Sequence, residues 1–310
     1  MKKLGNPVPQ RAADGTLWLF YVTVSLGGWA GSSITAITST DEGASWGPAQ
    51  RLVTSPFINI STLVKGTPFL YSDGTMGLPV YHEFIGKFGE ILRIQTSGRS
   101  AAIIDKQRLS SGKTTLQPVV LIRDMQRALA LMRRSGSSPN RVIATATGDG
   151  GRHWSRPAPT ALANPDAALT GLVLPDGRML LALNDLEQGR DALSLVLSTD
   201  GGATWNTVYE LEDQRGRPAD PEHYLQTAAA LARASGPGIA DADAYARSAQ
   251  QHECAGRNCR YEFSYPYMIQ AKNGDIHLVY TWNRSFIKHV EFTRAWLDQQ
   301  TAKAGDGALH

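Results

Sequence analysis

The chain has 310 residues, of which 42% are hydrophobic and 19% charged, a balance typical of a globular protein with a sizeable core. A formal net charge of +3, from 31 basic and 28 acidic residues, is too balanced to indicate a nucleic-acid or anionic-membrane partner. No apolar run approaches the roughly 18 residues of a membrane-spanning helix. The segment MKKLGNPVPQ also lacks the apolar core of a secretory signal, so we expect a cytoplasmic protein.

Most of the chain is predicted to form short β-strands. Runs of strand length recur, and turns that combine polar residues with glycine separate them, as in AADGT (12–16), LPDGR (174–178) and AKNGD (271–275). The clearest runs are LWLFYVTV (17–24), SSITAITST (32–40), RALALMRR (127–134), RVIATAT (141–147), RMLLALND (178–185) and ALSLVLST (192–199). Short strands at even spacing are typical of an antiparallel all-β fold.

One phrase, Ser/Thr–x–Asp–x–Gly–x–x–Trp, occurs three times in the sequence. The copies are STDEGASW (39–46), TGDGGRHW (147–154) and STDGGATW (198–205). Their spacing is one or two units of roughly 50 residues, and ILRIQTSG (91–98) stands where a further, decayed copy is expected. A repeat of this length predicts the blades of a β-propeller.

The fixed positions of this phrase predict a structural role. Asp and Ser/Thr side chains in a tight turn bond to nearby backbone amides, Gly adopts backbone angles that other residues resist, and Trp packs as an apolar anchor. We therefore expect Asp41, Asp149 and Asp200 to join two strands of a blade and not to catalyse a reaction.

Residues 213–261 break the strand pattern and predict a helical insertion. DPEHYLQTAAALARASG (220–236) opens with the Asp–Pro pair of a helix N-terminus and closes on glycine, and DADAYARSAQQH (241–252) is a second helix candidate. We expect the insertion to lie on the face where the central mouth opens, as a lid, a partner-binding surface or a homo-oligomer contact. A decorative surface insertion is the alternative.

The whole chain, 1–310, is expected to form one propeller domain with a frayed tail at 298–310. Without the insertion and the tail, it is long enough for close to five blades of roughly 50 residues. Cys254 and Cys259 are too few for a disulfide framework or a four-ligand zinc site. Two reduced thiols are expected, with a local disulfide as the alternative. The sequence indicates no cofactor and no metal site.

The three repeated phrases, together with FSYPYMIQAKNGDIHLVYTWNRSFIKHVEF (263–292), resemble bacterial sialidase-like proteins of the BNR/Asp-box repeat group, which is related to the exo-α-sialidases. The resemblance covers residues about 5–212 and 262–297. It implies a sialidase-like β-propeller of a six-bladed family, of which about five blades are visible in this chain.

The resemblance also implies a site. Sialidases bind the substrate carboxylate with three arginines, since guanidinium forks match carboxylates, and they use a Tyr–Glu pair as nucleophile and base and an Asp as acid. Tyr265 in FSYPYM matches the nucleophile. Arg190 matches the second arginine, and Arg133 matches the arginine before the second Asp-box, with Arg134 as a substitute.

Several positions depart from the family pattern. Gly5–Asn6–Pro7 replaces the family's Arg–Ile–Pro, Gln117 replaces the Glu of the Tyr–Glu pair, and VSLGGWAGSS (24–33) contains no Asp. Relatives with the same Asn–Pro, Gln–Pro and Ser–Tyr–Pro pattern carry an additional blade before the Asn–Pro. We therefore expect a shortened N-terminus or another way of closing the ring.

Other polar residues are candidates for the missing roles. His82 and Glu83 end the apolar run PVYHEF (79–84) and could act as acid or base, although they could equally cap a strand at the rim. Asp185 is the carboxylate nearest in sequence to Arg190, with turn capping as its alternative role. Arg284 could replace the missing third cation, or be an exposed hairpin charge.

The leading hypothesis is a glycoside hydrolase that acts on a terminal acidic sugar of a glycan. Arg133 and Arg190 would hold the sugar carboxylate, Tyr265 would attack the anomeric carbon, and His82 or Glu83 would transfer the proton. One alternative is a polysaccharide lyase on uronic-acid glycans, which would use a Tyr–His pair. Another is a carbohydrate-binding propeller without catalysis.

Overall fold

The structure is a computed structural model, and it describes residues 3–25, 28–55, 59, 61–111, 113–136, 140–217, 220–255 and 258–307. Within these residues, five antiparallel sheets of three to five strands follow one another along the chain as the blades of a β-propeller. Blade 1 contains β1 (Lys3–Arg11), β2 (Leu17–Ser25), β3 (Gly28–Ser39) and β4 (Gln50–Arg51). Blade 2 contains β5 (Thr62–Val64), β6 (Phe69–Leu70), β7 (Met76–His82), β8 (Phe88–Ser97) and β9 (Ser100–Arg108).

The other blades follow the same order of strands. Blade 3 contains β10 (Thr115–Ile122), β11 (Ala128–Arg134), β12 (Arg141–Thr147) and β13 (Ala158–Ala163). Blade 4 contains β14 (Thr170–Val173), β15 (Met179–Leu183), β16 (Ala192–Ser198) and β17 (Asn206–Asp213). After the insertion, which contains α1 (Pro221–Ala234), α2 (Ala242–Glu253), β18 (Cys254–Ala255) and β19 (Asn258–Cys259), blade 5 contains β20 (Phe263–Gln270), β21 (Ile276–Trp282) and β22 (Phe286–Phe292).

The five-bladed, mostly β architecture that the repeat spacing predicts is confirmed. The first strands of successive blades are neighbours, because β14 packs against β10 on one side and β20 on the other. Strands β15 and β16 are buried along their whole length, since neighbouring blades cover both faces of the sheet. This explains why their sequences are continuous apolar runs and do not alternate.

The Asp-boxes form the turns between the third and fourth strands of three blades, and their contacts confirm the structural role. In the third box, the Asp200 carboxylate accepts hydrogen bonds from the Thr204 amide (2.9 Å) and from the Ser198 hydroxyl (2.8 Å). Gly201 and Gly202 have φ angles of 78° and 94°, which only glycine adopts without strain. The decayed copy occupies the same place in blade 2, where the chain turns from β8 into β9.

The insertion contains two helices that pack against each other. Asp220 caps α1 by accepting a hydrogen bond from the Glu222 amide (3.1 Å), and Pro221 occupies the first turn, where its missing N–H is not needed. Tyr224 of α1 is fully buried, and its ring centroid lies 5.3 Å from that of Trp282 in blade 5. The insertion is therefore anchored on the last blade by an aromatic cluster.

Two expectations about this half of the chain are wrong. Cys254 and Cys259 form a disulfide and are not reduced thiols, because the β18–β19 hairpin pairs them directly across its two strands. Residues 294–307 form a helix, α3 (Arg294–Gly307), where a frayed tail was expected from residue 298. Leu297 of α3 is fully buried, which fixes the helix on the propeller. Residues 308–310 lie outside the described residues.

None of the described helices is both long and apolar enough to cross a membrane.

Close packing between blades 2 and 3 leads to a first prediction, on Gly66. A Cβ atom at Gly66 would overlap the carbonyl oxygen of Pro118, a backbone atom that has no side-chain freedom to move away. We expect Gly66→Ala to destabilise the fold by at least ~1–3 kcal/mol, the usual cost of overpacking. Thermal or chemical denaturation measures this loss. Gly148→Ala is the control, since Gly148 has open space and an ordinary φ, and a similar loss there would contradict the explanation.

The Asp-box turns lead to a second prediction, on acid stability. Hydrogen bonds from the hydroxyl and amide of Ser45, and from the hydroxyl of Ser39, lower the pKa of Asp41 from 3.8 to about 2. The stabilisation from this carboxylate is complete above the unfolded pKa and is lost as the pH falls towards the folded one. Asp41→Asn should therefore lower the melting temperature more at about pH 6 than at about pH 2. Equal losses at both pH values would contradict this account.

Candidate functional site

Three inner strands carry the same irregularity at the propeller's central opening. Asn6, Gln117 and Tyr265 each precede a proline, and their φ angles are 50°, 52° and 54°. The strand pairing shifts register at each position. A residue before proline normally adopts an extended backbone, and a positive φ outside glycine is uncommon. Strained backbone of this kind is concentrated at functional sites, where the surrounding structure maintains it.

These three bulges point into one cavity of about 460 Å³, which we name the central pocket. It is lined by Leu4, Gly5, Asn6, Trp29, Tyr81, Glu83, Gln117, Arg133 and Tyr265. Residues from blades 1, 2, 3 and 5 therefore meet here, although they are far apart in sequence. The side chain of Tyr265 is 42% exposed, so its phenol is accessible from solvent.

A hydrogen-bonded chain crosses the wall of the central pocket. Arg133 donates from Nη1 to Oε1 of Gln117 (3.1 Å), and Gln117 donates from Nε2 to the Tyr81 hydroxyl (3.4 Å). Asn6 donates to the same hydroxyl from Nδ2 (3.2 Å). Burial raises the pKa of Tyr81 to about 12, so this phenol stays protonated at neutral pH. Because an arginine only donates, it fixes the orientation of the Gln117 amide.

Asp166 couples the two arginines that the sequence singled out. Its carboxylate lies 2.8 Å from Nε of Arg133, and its backbone carbonyl accepts a hydrogen bond from Nη2 of Arg190 (2.8 Å). Asp166 also has a positive φ of 57°. Arg190 continues to the nucleophile candidate, since its guanidinium carbon lies 6.0 Å from the ring centroid of Tyr265. The two cations and the phenol thus form one connected group.

Glu262 is a site residue that the sequence interpretation missed. Its carboxylate pairs with Arg190 (3.2 Å) and Arg284 (2.6 Å) and accepts a hydrogen bond from the Ser264 hydroxyl (3.0 Å). Burial opposes the ionisation of Glu262, but the hydrogen bonds from Arg284 and Ser264 and the charge of Arg190 outweigh it and lower its pKa. Glu262 is therefore an ionised counter-ion that positions two arginines. In the sequence, the position of Glu262 three residues before Tyr265 was the feature that could have indicated its place in the site.

Lys65 is a second residue that the sequence interpretation missed. It is 6% exposed, and its ammonium group donates to the carbonyl of Pro266 (2.7 Å), directly after Tyr265. Its nitrogen also lies 5.8 Å from the ring centroid of Tyr267. Burial, followed by the charge of Arg133, lowers the pKa of Lys65 to about 7. A lysine at the end of a short apolar strand gave no sign of a partner so distant in sequence.

The structure thus brings together Asn6, Glu83, Gln117, Arg133 and Tyr265 in the central pocket. Arg190 lies beside Tyr265, and Arg284 joins the group through Glu262.

Two of the sequence candidates lie elsewhere, and their catalytic roles stay predictions. His82 stacks on Phe88, with ring centroids 4.2 Å apart, and its Nε2 contacts Glu90 (3.2 Å). The Asp185 carboxylate accepts a hydrogen bond from the Ala163 amide (2.9 Å). Neither belongs to the described residues that line the central pocket. In the described part of the chain, no group of three or more His, Cys, Asp or Glu residues is placed to hold a metal ion.

Solved structures share this fold. The Hadza microbial sialidase Hz136 superposes with a TM-score of 0.63 at 16% identity, over 95% of this chain and 53% of that one. The leech intramolecular trans-sialidase, complexed with 2,7-anhydro-Neu5Ac, superposes with a TM-score of 0.64 at 12% identity, over 97% and 57%. The α-L-arabinanase of Penicillium chrysogenum gives 0.52 at 13% identity, over 90% and 77%. The chain spans about half the length of the two sialidase structures, and at these identities the likeness concerns the fold alone.

The family is shown by sequence. No curated protein is significantly similar to the chain. The model of the BNR repeat-like domain matches residues 1–278, a range that includes the three Asp-boxes and Tyr265 and confirms the resemblance that the boxes indicated. The chain therefore belongs to the family of BNR repeat-like domains.

Proposed function

We propose that this protein is a sialidase-type glycoside hydrolase, which removes a terminal acidic sugar, sialic acid or a related sugar, from a glycan. The observation that carries the proposal is the placement of Tyr265. A strained bulge holds this half-exposed tyrosine in the central pocket, with Arg190 against its ring and Arg133 in the pocket wall. A tyrosine among arginines fits a substrate that carries a carboxylate at its reacting carbon.

The arginines supply the binding step. A guanidinium has five N–H donors and binds carboxylates through two parallel hydrogen bonds. The contacts of Arg133 with Asp166 and Gln117 use Nε and Nη1, which leaves further donors for a substrate. Trp29, 44% exposed in the same pocket, offers an apolar face against which a sugar ring can pack.

Tyr265 and Glu83 supply the chemical step. The phenol oxygen attacks the anomeric carbon as the glycosidic bond breaks, and a neutral phenol avoids the repulsion that a carboxylate nucleophile would meet from the sugar carboxylate. Glu83 is the one carboxylate among the described residues that line the central pocket, so we assign it as the base that accepts the phenol proton. Water protonates the leaving oxygen, its hydroxide then attacks the anomeric carbon of the sugar–tyrosine intermediate, and Glu83 returns its proton to the departing Tyr265 phenolate.

The comparisons add support from the named activities of similar folds. Two of the similar structures are named as a sialidase and a trans-sialidase, and the second holds a sialic-acid derivative. The geometry does not favour a lyase with a Tyr–His pair, because His82 pairs with Glu90 and is not among the described residues lining the central pocket. A carbohydrate-binding propeller is the second candidate, because Gln117 cannot act as a base.

The first test of this function is Tyr265→Phe. The variant keeps the ring and removes the attacking oxygen, so release of 4-nitrophenol from 4-nitrophenyl α-sialoside should fall by at least about 10²-fold. Tyr209→Phe is the matched control, since Tyr209 is 40% exposed on β17 and its ring packs against Trp296. No release by the wild type would refute sialidase activity, and tight sialoside binding without turnover would favour the carbohydrate-binding alternative.

A second test addresses the base. Glu83→Gln should lower kcat by about 10²–10⁴-fold, the usual contribution of general acid–base catalysis. The matched control is Glu90→Gln, because Glu90 binds His82 and is not among the described residues that line the central pocket. An unchanged kcat in Glu83→Gln would assign the base elsewhere.

A further inference from the structure

A second cavity, which we name the insertion pocket, lies between the helical insertion and the loops of blades 4 and 5. Its volume is about 590 Å³, within the range of small-molecule sites. The insertion, residues 213–261, contributes Arg217, Arg260 and Tyr261 to its lining, and the loops of blades 4 and 5 contribute Arg190 and Arg284. The sialidase-type reaction proposed above uses no residue that the insertion supplies.

The insertion pocket and the central pocket meet at Arg190. This arginine lines the insertion pocket, and its guanidinium carbon is 6.0 Å from the ring centroid of Tyr265, which lines the central pocket. Glu262, which pairs with Arg190 and Arg284, also lines the insertion pocket, as does Arg284. A sugar bound over Tyr265 would therefore have the insertion pocket directly beside it.

The walls of the insertion pocket are held in place by backbone contacts. The Cys254–Cys259 disulfide closes the hairpin that carries Arg260, and the Arg260 amide donates to the Glu253 carbonyl (2.9 Å). On the propeller side, the amide of Phe263 donates to the carbonyl of Arg190 (2.8 Å). A pocket organised before binding loses less conformational freedom when a ligand enters.

The lining combines positive and negative side chains in nearly equal number. The arginines are Arg190, Arg217, Arg260 and Arg284, and the carboxylates are Asp191, Glu253 and Glu262. This near balance does not favour a polyanion. It suits a ligand with many hydroxyl groups, because each hydroxyl both donates and accepts hydrogen bonds. Tyr261 adds a ring against which a sugar can pack.

We propose that the insertion pocket binds the uncharged sugars on the leaving-group side of the cleaved bond, hexoses such as those of lactose. The insertion thereby makes the protein selective for acidic oligosaccharides over simple acidic glycosides. The selectivity rests on the proposed function, whereas the binding of uncharged sugars is a property of the pocket itself.

The test compares two substrates that share the acidic sugar, 3′-sialyllactose and 4-nitrophenyl α-sialoside. Arg260→Ala and Arg217→Ala should each raise KM for the trisaccharide relative to the aryl glycoside by about tenfold, the effect of losing one hydrogen bond to a charged group. Arg233→Ala is the matched control, because Arg233 lies on the same insertion but pairs with Asp243. An equal change for both substrates in the pocket variants would overturn the inference and leave the proposed function intact.

A lactose-binding experiment tests the insertion pocket independently of catalysis. Lactose titrated into the protein should perturb the NMR signals of wild type and Arg233→Ala alike, and bind about tenfold more weakly to Arg260→Ala. If the wild type turned over neither substrate, the proposed function would fail, while this titration would still show whether the insertion pocket binds uncharged sugars. Equal lactose affinity in Arg260→Ala and wild type, or no lactose binding at all, would refute the inference.

Discussion

The buried amino group of Lys65 joins the second blade to the fifth at the propeller's central opening, and the geometry of the site depends on this contact. Its hydrogen bond reaches the carbonyl of Pro266, 201 residues away in sequence. A buried polar group is costly unless it is hydrogen-bonded, and here the Pro266 carbonyl accepts the bond while the Tyr267 ring lies 5.8 Å away. Because Pro266 follows Tyr265, the same contact holds the strained bulge that presents the phenol to the central pocket.

The residues that stabilise the blades and the residues that line the central pocket lie in different parts of the propeller. In each Asp-box turn, the Asp carboxylate accepts a hydrogen bond from a backbone amide of the same turn. The conformation of these turns therefore depends on local residues and not on contacts with other blades. At the central opening the strands are irregular, and left-handed residues before proline place Asn6, Gln117 and Tyr265 in one cavity. The hydroxyl of Tyr81 accepts hydrogen bonds from two of them, which offsets part of the strain.

The predictable features of this molecule are those with a local cause. The turn residues within an eight-residue phrase predicted the Asp-box turns, and the spacing of the phrases predicted about five blades. The pairing of Glu262 with two arginines and of Lys65 with Pro266 depends on how distant blades meet, which no local pattern encodes. His82 and Glu83 are adjacent in sequence, and neighbouring residues at a strand end point in different directions, so only the structure shows which one lines the pocket.

In the proposed reaction, the amide of Gln117 separates substrate binding from proton transfer. A carboxylate at that position would compete with Asp166 for Arg133, whereas the amide accepts from Arg133 and passes a hydrogen bond on to Tyr81. In the proposed reaction, the amide leaves the cations that bind the sugar carboxylate in place but cannot accept a proton. Proton transfer in that reaction then falls to Glu83, the one carboxylate among the described residues that line the central pocket. In the proposed reaction, Arg133, which binds the sugar carboxylate, and Glu83, which accepts the proton, therefore line the same pocket as Tyr265.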